Sequence, residues 1–255
     1  MSAQNSLPLL DLSTARSSLN RTELQRGIRR YGAFRLLAPG IFRAFARAIP
    51  HGYSPFGSEL IRGKRRMPKE SVYFYRQRDQ NTPSSEPPAE LSGSIIEILE
   101  AWHPLRNDVF EVLSNEILNT TTDLTSEPLF EYETMALHYY VSHKLVTGER
   151  DYSPAHKDGG LLTILVRGMS GPDGLEVADL ESTNEVDSGK IGLEASFVPV
   201  PVIADEVVVF LGTRIQRLIG DQARACVHRV SAFVQDKDCP IEERLSVAIF
   251  CAPPI

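Results

Sequence analysis

The chain has 255 residues, 42% of them hydrophobic and 24% charged, and a formal net charge of −6. That balance is ordinary for a soluble globular protein with a sizeable core, and it excludes a basic nucleic-acid binder. Cys226, Cys239 and Cys251 show no CxxC spacing, residues 1–10 lack a basic segment followed by a long apolar one, and no apolar run reaches the roughly 18 residues that span a bilayer. The expectation is therefore a cytoplasmic protein with no nucleic-acid and no membrane partner.

Residues 8–13 read as a short strand entering a turn. Helical spacing follows over 21–32, with Leu24, Ile28 and Tyr31 on one face and Gly32 as the stop. A strand is predicted over 33–37, a loop over 51–70 and a short strand over 72–75. The basic run Arg62, Lys64, Arg65 and Arg66 reads as solvated loop. Residues 79–93, with Pro83, Pro87 and Pro88, read as a long surface loop. A helix over 93–118 carries an apolar face suited to packing on a sheet, with Pro104 expected to kink or split it. From Glu133 onward short apolar runs alternate with turn signals. Strands are predicted over 134–141, 161–166, 175–177, 197–200, 207–211, 215–219, 225–233 and 245–251, with an inserted loop over 179–195. This pattern gives a single domain over 1–255: a largely helical region over 1–130, then a jelly-roll or barrel core over 131–255. The fold class is mainly β with flanking helices.

Chemistry concentrates in the second half. In an extended segment, side chains at i and i+2 point the same way, so His156 and Asp158 offer two metal ligands from one strand end. Gly159 and Gly160 follow, and are expected to let the backbone crowd the site. His228 lies in the predicted strand 225–233, where a lone histidine is either a ligand or a satisfied structural residue. Two histidines and a carboxylate leave one face of a six-coordinate ion open, which suits non-haem Fe(II). Arg244 and Ser246 share one side of the last strand and make a ready carboxylate clamp; the alternative is a surface arginine at a strand start.

These motifs, taken in order, resemble the Fe(II)/2-oxoglutarate-dependent dioxygenases of the isopenicillin N synthase-like family. His138-Tyr139-Tyr140 resembles the family's Asn-Tyr-Tyr segment, and residues 156–165 its HxD strand. Gly174-Leu175-Glu176-Val177, Val208-Val209-Phe210-Leu211-Gly212, His228-Arg229-Val230, Arg244-Leu245-Ser246 and residues 248–254 resemble its later strands. Upstream, residues 7–13, Tyr31-Gly32-Ala33-Phe34, Ala38-Pro39-Gly40, Gly52-Tyr53 and Lys69-Glu70 resemble its N-terminal segments. The chain departs from the family in its short N-terminal half, where much of the helical stretch before Gly52 is missing, in longer gaps between His156, His228 and Arg244, and in His138 standing for asparagine.

The resemblance implies a double-stranded β-helix (jelly-roll) core with Fe(II) held by His156, Asp158 and His228. It implies 2-oxoglutarate as co-substrate, its distal carboxylate held by Arg244 and Ser246, with Tyr140 either adding a hydroxyl or serving as a core aromatic. Dioxygen is the oxidant, and 2-oxoglutarate is decarboxylated to succinate as an unactivated C–H bond is hydroxylated, desaturated or closed into a ring. Tyr73, Tyr75, Arg76 and Phe250 are candidate substrate residues by position, and Arg76 reads equally as a surface residue. A small substrate is expected, amino-acid-derived or an intermediate of natural-product biosynthesis. The rivals are a 2-oxoglutarate-independent Fe(II) oxidase of the isopenicillin N synthase type, a binding module that kept the fold, and a zinc hydrolase. Oligomeric state is left open.

Overall fold

The computed structural model describes residues 7–14, 18–48, 61–62, 65–66, 69–77, 89–118, 124, 132–141, 151–168, 174–181, 196–231 and 243–251. The first part of the chain supplies β1 (Leu9–Leu10), helix α1 (Ser18–Tyr31), β2 (Ala33–Leu37), helix α2 (Pro39–Ala48), the short strands β3 (Ile61–Arg62) and β4 (Arg65–Arg66), β5 (Lys69–Gln77) and helix α3 (Ala89–Glu111). The second part supplies β6 (Tyr132–Val141), β7 (Asp151–His156), β8 (Leu162–Arg167), β9 (Leu175–Ala178), β10 (Phe197–Pro199), β11 (Glu206–Leu211), helix α4 (Thr213–Ile219), β12 (His228–Ser231) and β13 (Glu243–Phe250). A seven-stranded sheet runs β1-β2-β11-β8-β13-β6-β5 and a four-stranded sheet runs β10-β9-β12-β7. Together they form a jelly-roll core. Among the described residues no helix is long and apolar enough to cross a membrane.

The large sheet is buried on both faces, which explains its near-continuous apolar runs. In β8, Leu162, Ile164 and Val166 join the cluster that also holds Leu24 and Ile28 of α1, Ile41 of α2 and Trp102 of α3. Leu165 points the other way, into a second cluster with Val177, Val208, Phe210, Val230 and Ala248 between the two sheets. Because side chains alternate with period two, a one-residue slip of β8 or β13 would drive the inner polar groups into the helix layer. Each fully buried leucine, isoleucine or phenylalanine contributes about 1.5–3 kcal/mol to holding that register.

Several expectations change on contact with the structure. Residues 215–219 lie in a helix, not a strand: Ile215, Leu218 and Ile219 fit the i, i+3, i+4 spacing, and Ile215 faces the core. Period two would set Arg217 on the face of Ile215 and Ile219, so the apolar spacing fits the helix and not the strand. The predicted strand 225–233 shortens to His228–Ser231, and residues 232–242 lie outside the described set. β7 was not foreseen because Pro154 interrupts its pattern; among the described residues β7 pairs only with β12, and an edge strand tolerates proline. Pro39–Ala48 forms a helix where no element was predicted, with Pro39 in its first turn and Ile41, Ala44 and Phe45 buried. The basic run is not wholly loop, since Ile61 and Arg62 pair with Arg66 and Arg65. Before residue 131, β1, β2 and β5 also join the large sheet. Pro104 does not split α3, which continues to Glu111 and into a π-helical turn over Val112–Ile117. Of the loops expected over 79–93 and 179–195, residues 79–88 and 182–195 lie outside the described residues, while 89–93 form the first turn of α3 instead of loop.

One buried polar cluster fastens α3 to β6. Glu133 accepts hydrogen bonds from Trp102 Nε1 at 3.1 Å and Arg106 Nη1 at 2.8 Å, and lies 2.7 Å from His103 Nε2. Burial pushes its carboxyl pKa up, but His103 and Arg106 outweigh burial and hold it below the ordinary 4.5. A lowered folded pKa means the unfolded chain binds more protons. The stabilisation is therefore complete above pH 4.5 and disappears as pH falls through the lowered folded value. Glu133→Ala is expected to cost about 3–5 kcal/mol at neutral pH, because it strips a buried cation of its counter-ion. It should also flatten the acid limb of a melting-temperature profile, and an unchanged acid limb would contradict this role.

Candidate functional site

Three side chains converge at the open end of the small sheet. β7 ends on His156 and β12 begins on His228, and the ladder sets these two residues directly opposite each other. Their ring centroids are 4.3 Å apart. Asp158 follows two residues past the strand end. Its Oδ1 lies 3.8 Å from His156 Nε2 and its Oδ2 3.9 Å from His228 Nε2. All three candidate ligand atoms lie within 4.8 Å of one another. A first-row ion with bonds of about 2.0–2.2 Å spans donors roughly 4 Å apart, so the cluster fits such an ion.

The surroundings orient each donor. His156 Nδ1 lies 2.8 Å from the Pro154 carbonyl oxygen. A carbonyl only accepts, so Nδ1 carries the proton and Nε2 is left as a lone-pair donor facing Asp158. Asp158 Oδ2 accepts a 2.6 Å hydrogen bond from Thr163 Oγ1. His228 stacks on Phe210, with centroids 4.3 Å apart and an interplanar angle of 17°. Burial, then the negative charge of Asp158, pushes the nearby Cys226 thiol well up, so it stays protonated and acts as a small apolar filler.

Backbone contacts hold the turn that carries Asp158. Gly212 N donates to Leu161 O at 2.9 Å, and Thr213 N donates to Asp158 O at 2.8 Å. A Cβ on Gly212 would lie 2.1 Å from Gly160 O, so only glycine fits there. Of the crowding expected at Gly159 and Gly160, none is found at Gly159, where a Cβ meets nothing within 4 Å, while the Gly160 backbone packs against Gly212. Gly32, at φ +64, plays a matching part on the His228 side, where a Cβ would lie 2.4 Å from Arg224 O. Leu211 joins the two sides by donating to Gly32 O and accepting from Cys226 N.

The second predicted group lies on the inner face of the large sheet. Arg244 and Ser246 are 5% and 0% exposed, so the reading of Arg244 as a surface residue falls. Arg244 Nη1 lies 3.4 Å from Ser246 Oγ, and its guanidinium carbon stands 4.5 Å from the centre of the Tyr140 ring. Tyr140 is opposite Arg244 in the β13–β6 register, belongs to the inner apolar cluster and meets Tyr152 edge-on. Whatever its hydroxyl binds, its ring supports the guanidinium from below.

Of the substrate candidates, Phe250 stands opposite Thr163 in β8, beside the Asp158 hydrogen bond. Tyr73 is half-buried and meets His138 edge-on. Tyr75 and Arg76 occupy register positions opposite Thr134 and Glu133, but their side chains lie outside the described set. Reading the sequence for site residues missed Thr163 and Phe210. Thr163 has a visible signal, a lone hydroxyl in the run Leu161-Leu162-Thr163-Ile164-Leu165. Phe210 has none, because a ring facing a histidine cannot be told from any other core phenylalanine.

Residues 132–253 match the model of the 2OG-Fe(II) oxygenase superfamily. The match takes in 122 of the chain's 255 residues, just under half. That family uses Fe(II), 2-oxoglutarate and dioxygen, which accords with the donor set of His156, Asp158 and His228. Among curated proteins of this kind, the 2-oxoglutarate-dependent dioxygenase caaD of Aspergillus niger is 27% identical over 196 residues. The match covers 74% of this chain and 55% of caaD, so the chain spans about half the length of this relative. Among solved structures, a full-length Neurospora crassa protein in complex with alpha-KG and 5-formyluracil has a TM-score of 0.67 at 20% identity, over 99% of this chain and 86% of the other. The rice dioxygenase for auxin oxidation has a TM-score of 0.68 at 20% identity, over 98% of this chain and 84% of the other. At that identity the two structures establish a shared fold.

Proposed function

We propose that this chain is an Fe(II)/2-oxoglutarate-dependent oxygenase that oxidises an unactivated C–H bond of a small organic molecule. The observation that carries the reading is the ladder pairing of His156 with His228, with Asp158 3.8 and 3.9 Å from the two imidazoles. His156, Asp158 and His228 would hold the iron. Iron, 2-oxoglutarate and dioxygen together supply the oxidising power, with succinate and carbon dioxide as by-products. This chain's own residues bind, orient and exclude water. Buried Arg244 and Ser246 receive the distal carboxylate of 2-oxoglutarate by an ion pair and a hydrogen bond in a dry pocket. The buried apolar cluster that holds Val208, Phe210 and Ala248 would keep water from that side of the site.

The side chains near the site and the relatives support a substrate class. Phe250 and Tyr73 offer flat apolar contact, and His138 adds one polar group held by Ser71 Oγ at 2.8 Å. The Neurospora crassa protein is solved with 5-formyluracil and the rice enzyme is named for auxin oxidation, both small molecules. We take a compound of that size, amino-acid-derived or a natural-product intermediate, as the substrate. The test is aerobic incubation with Fe(II) and 2-oxoglutarate against a panel of small carboxylic acids and heterocycles. Succinate formed in proportion to oxidised substrate is the expected result. Substrate oxidation that needs no 2-oxoglutarate would instead assign Arg244 to the substrate and make the chain an oxidase. Reaction only with large peptide- or flavonoid-sized compounds would overturn the substrate class.

A further inference from the structure

We infer that Thr163 is a positioning residue for Asp158, fixing which carboxylate oxygen is offered to the metal; this rests on the site reading proposed above. Thr163 is 2% exposed, between Leu162 and Ile164, where a hydroxyl is costly unless it is hydrogen-bonded. It donates to Asp158 Oδ2 at 2.6 Å, a length typical of a hydroxyl bonded to a charged carboxylate. Its β-branched side chain has few χ1 states, so the donor is held in place before any ligand arrives. The register sets Thr163 between Phe210 on one neighbouring strand and Phe250 on the other. Phe210 in turn stacks on His228. One residue thus ties the carboxylate ligand to the aromatic wall behind the distal histidine.

The consequence concerns how many coordination positions the protein takes. The hydroxyl engages Oδ2, which stands 3.9 Å from His228 Nε2, and leaves Oδ1, 3.8 Å from His156 Nε2, as the oxygen it does not engage. A carboxylate held in this way gives one donor atom. Two oxygens on the metal would take a position that the co-substrates need.

The experiment is an anaerobic titration of the purified full chain with Fe(II) alone, read by competition with a chromogenic chelator, with metal-free melting temperature recorded beside it. Thr163→Val, which keeps the side-chain volume, is expected to weaken Fe(II) binding by about 10–100-fold. Thr163→Ala removes the same hydroxyl with a different shape and is read alongside it. Thr163→Ser should stay close to wild type. In an Asp158→Ala background, Thr163→Val should add no further loss, because the effect passes through that carboxylate. Wild-type affinity in both hydroxyl-free variants, or an equal further loss without Asp158, would overturn the inference and leave the proposed function standing. Failure of the wild-type chain to bind Fe(II) would overturn both.

Discussion

Arg244→Ala is expected to raise the 2-oxoglutarate concentration for half-maximal turnover by roughly 30- to 1,000-fold, with Fe(II) affinity little changed. The magnitude follows from removing one partner of a buried, hydrogen-bonded charge pair, which costs about 2–4 kcal/mol. Arg244 is 5% exposed, lies 3.4 Å from Ser246 Oγ and is backed by the Tyr140 ring, so little water is at hand to replace it. Arg244→Lys should recover only part of the loss, because an ammonium keeps the charge but not the planar fork that grips two carboxylate oxygens. Steady-state kinetics with 2-oxoglutarate varied at saturating substrate makes the measurement. An unchanged KM for 2-oxoglutarate together with a raised KM for the organic substrate would contradict the assignment and hand the clamp to the substrate.

The second large effect is on the metal. His228→Ala is expected to abolish stoichiometric Fe(II) binding, a loss well beyond the roughly 10–100-fold that follows removal of an outer-shell partner. His228 is buried, stacked on Phe210 and opposite His156 in the ladder, so no neighbouring strand position can supply a substitute imidazole. The fold should survive, because the inner cluster around Phe210, Val177 and Val230 stays in place. Equilibrium dialysis under nitrogen, with a melting curve as control, separates metal loss from unfolding. A variant that retained one tightly bound Fe(II) per chain would exclude His228 from the site.

Much of this site was legible because it is written in short-range spacing. His156 and Asp158 announce themselves as an i, i+2 pair, and Arg244 and Ser246 as another. The strand that carries His228 was legible in type but not in length. What the sequence cannot express is the ladder. Nothing in residues 156 and 228 says that they stand opposite each other, since that pairing depends on β9 and β7 flanking β12. Phe210 was hidden for the same reason, as its partner His228 lies on another strand, while Thr163 showed a lone hydroxyl in an apolar run but not its partner across the turn. β7 was obscured by Pro154, which is admissible only because the strand is an edge. The helix over Thr213–Ile219 was legible after all: Ile215, Leu218 and Ile219 follow the helical spacing, and period two would put Arg217 on their face. Helix α2 was a second avoidable miss: Ile41, Ala44 and Phe45 carry the helical period openly.

The most direct test is spectroscopic and needs no knowledge of the substrate. Fe(II) and then 2-oxoglutarate would be added to the purified chain in the absence of oxygen, and the visible spectrum recorded for wild type and Arg244→Ala. The expected result is a weak visible band that appears only when both are present and saturates in wild type, while the variant needs a far higher 2-oxoglutarate concentration to reach it. Iron demonstrably bound with no band at any 2-oxoglutarate concentration would contradict the proposed co-substrate.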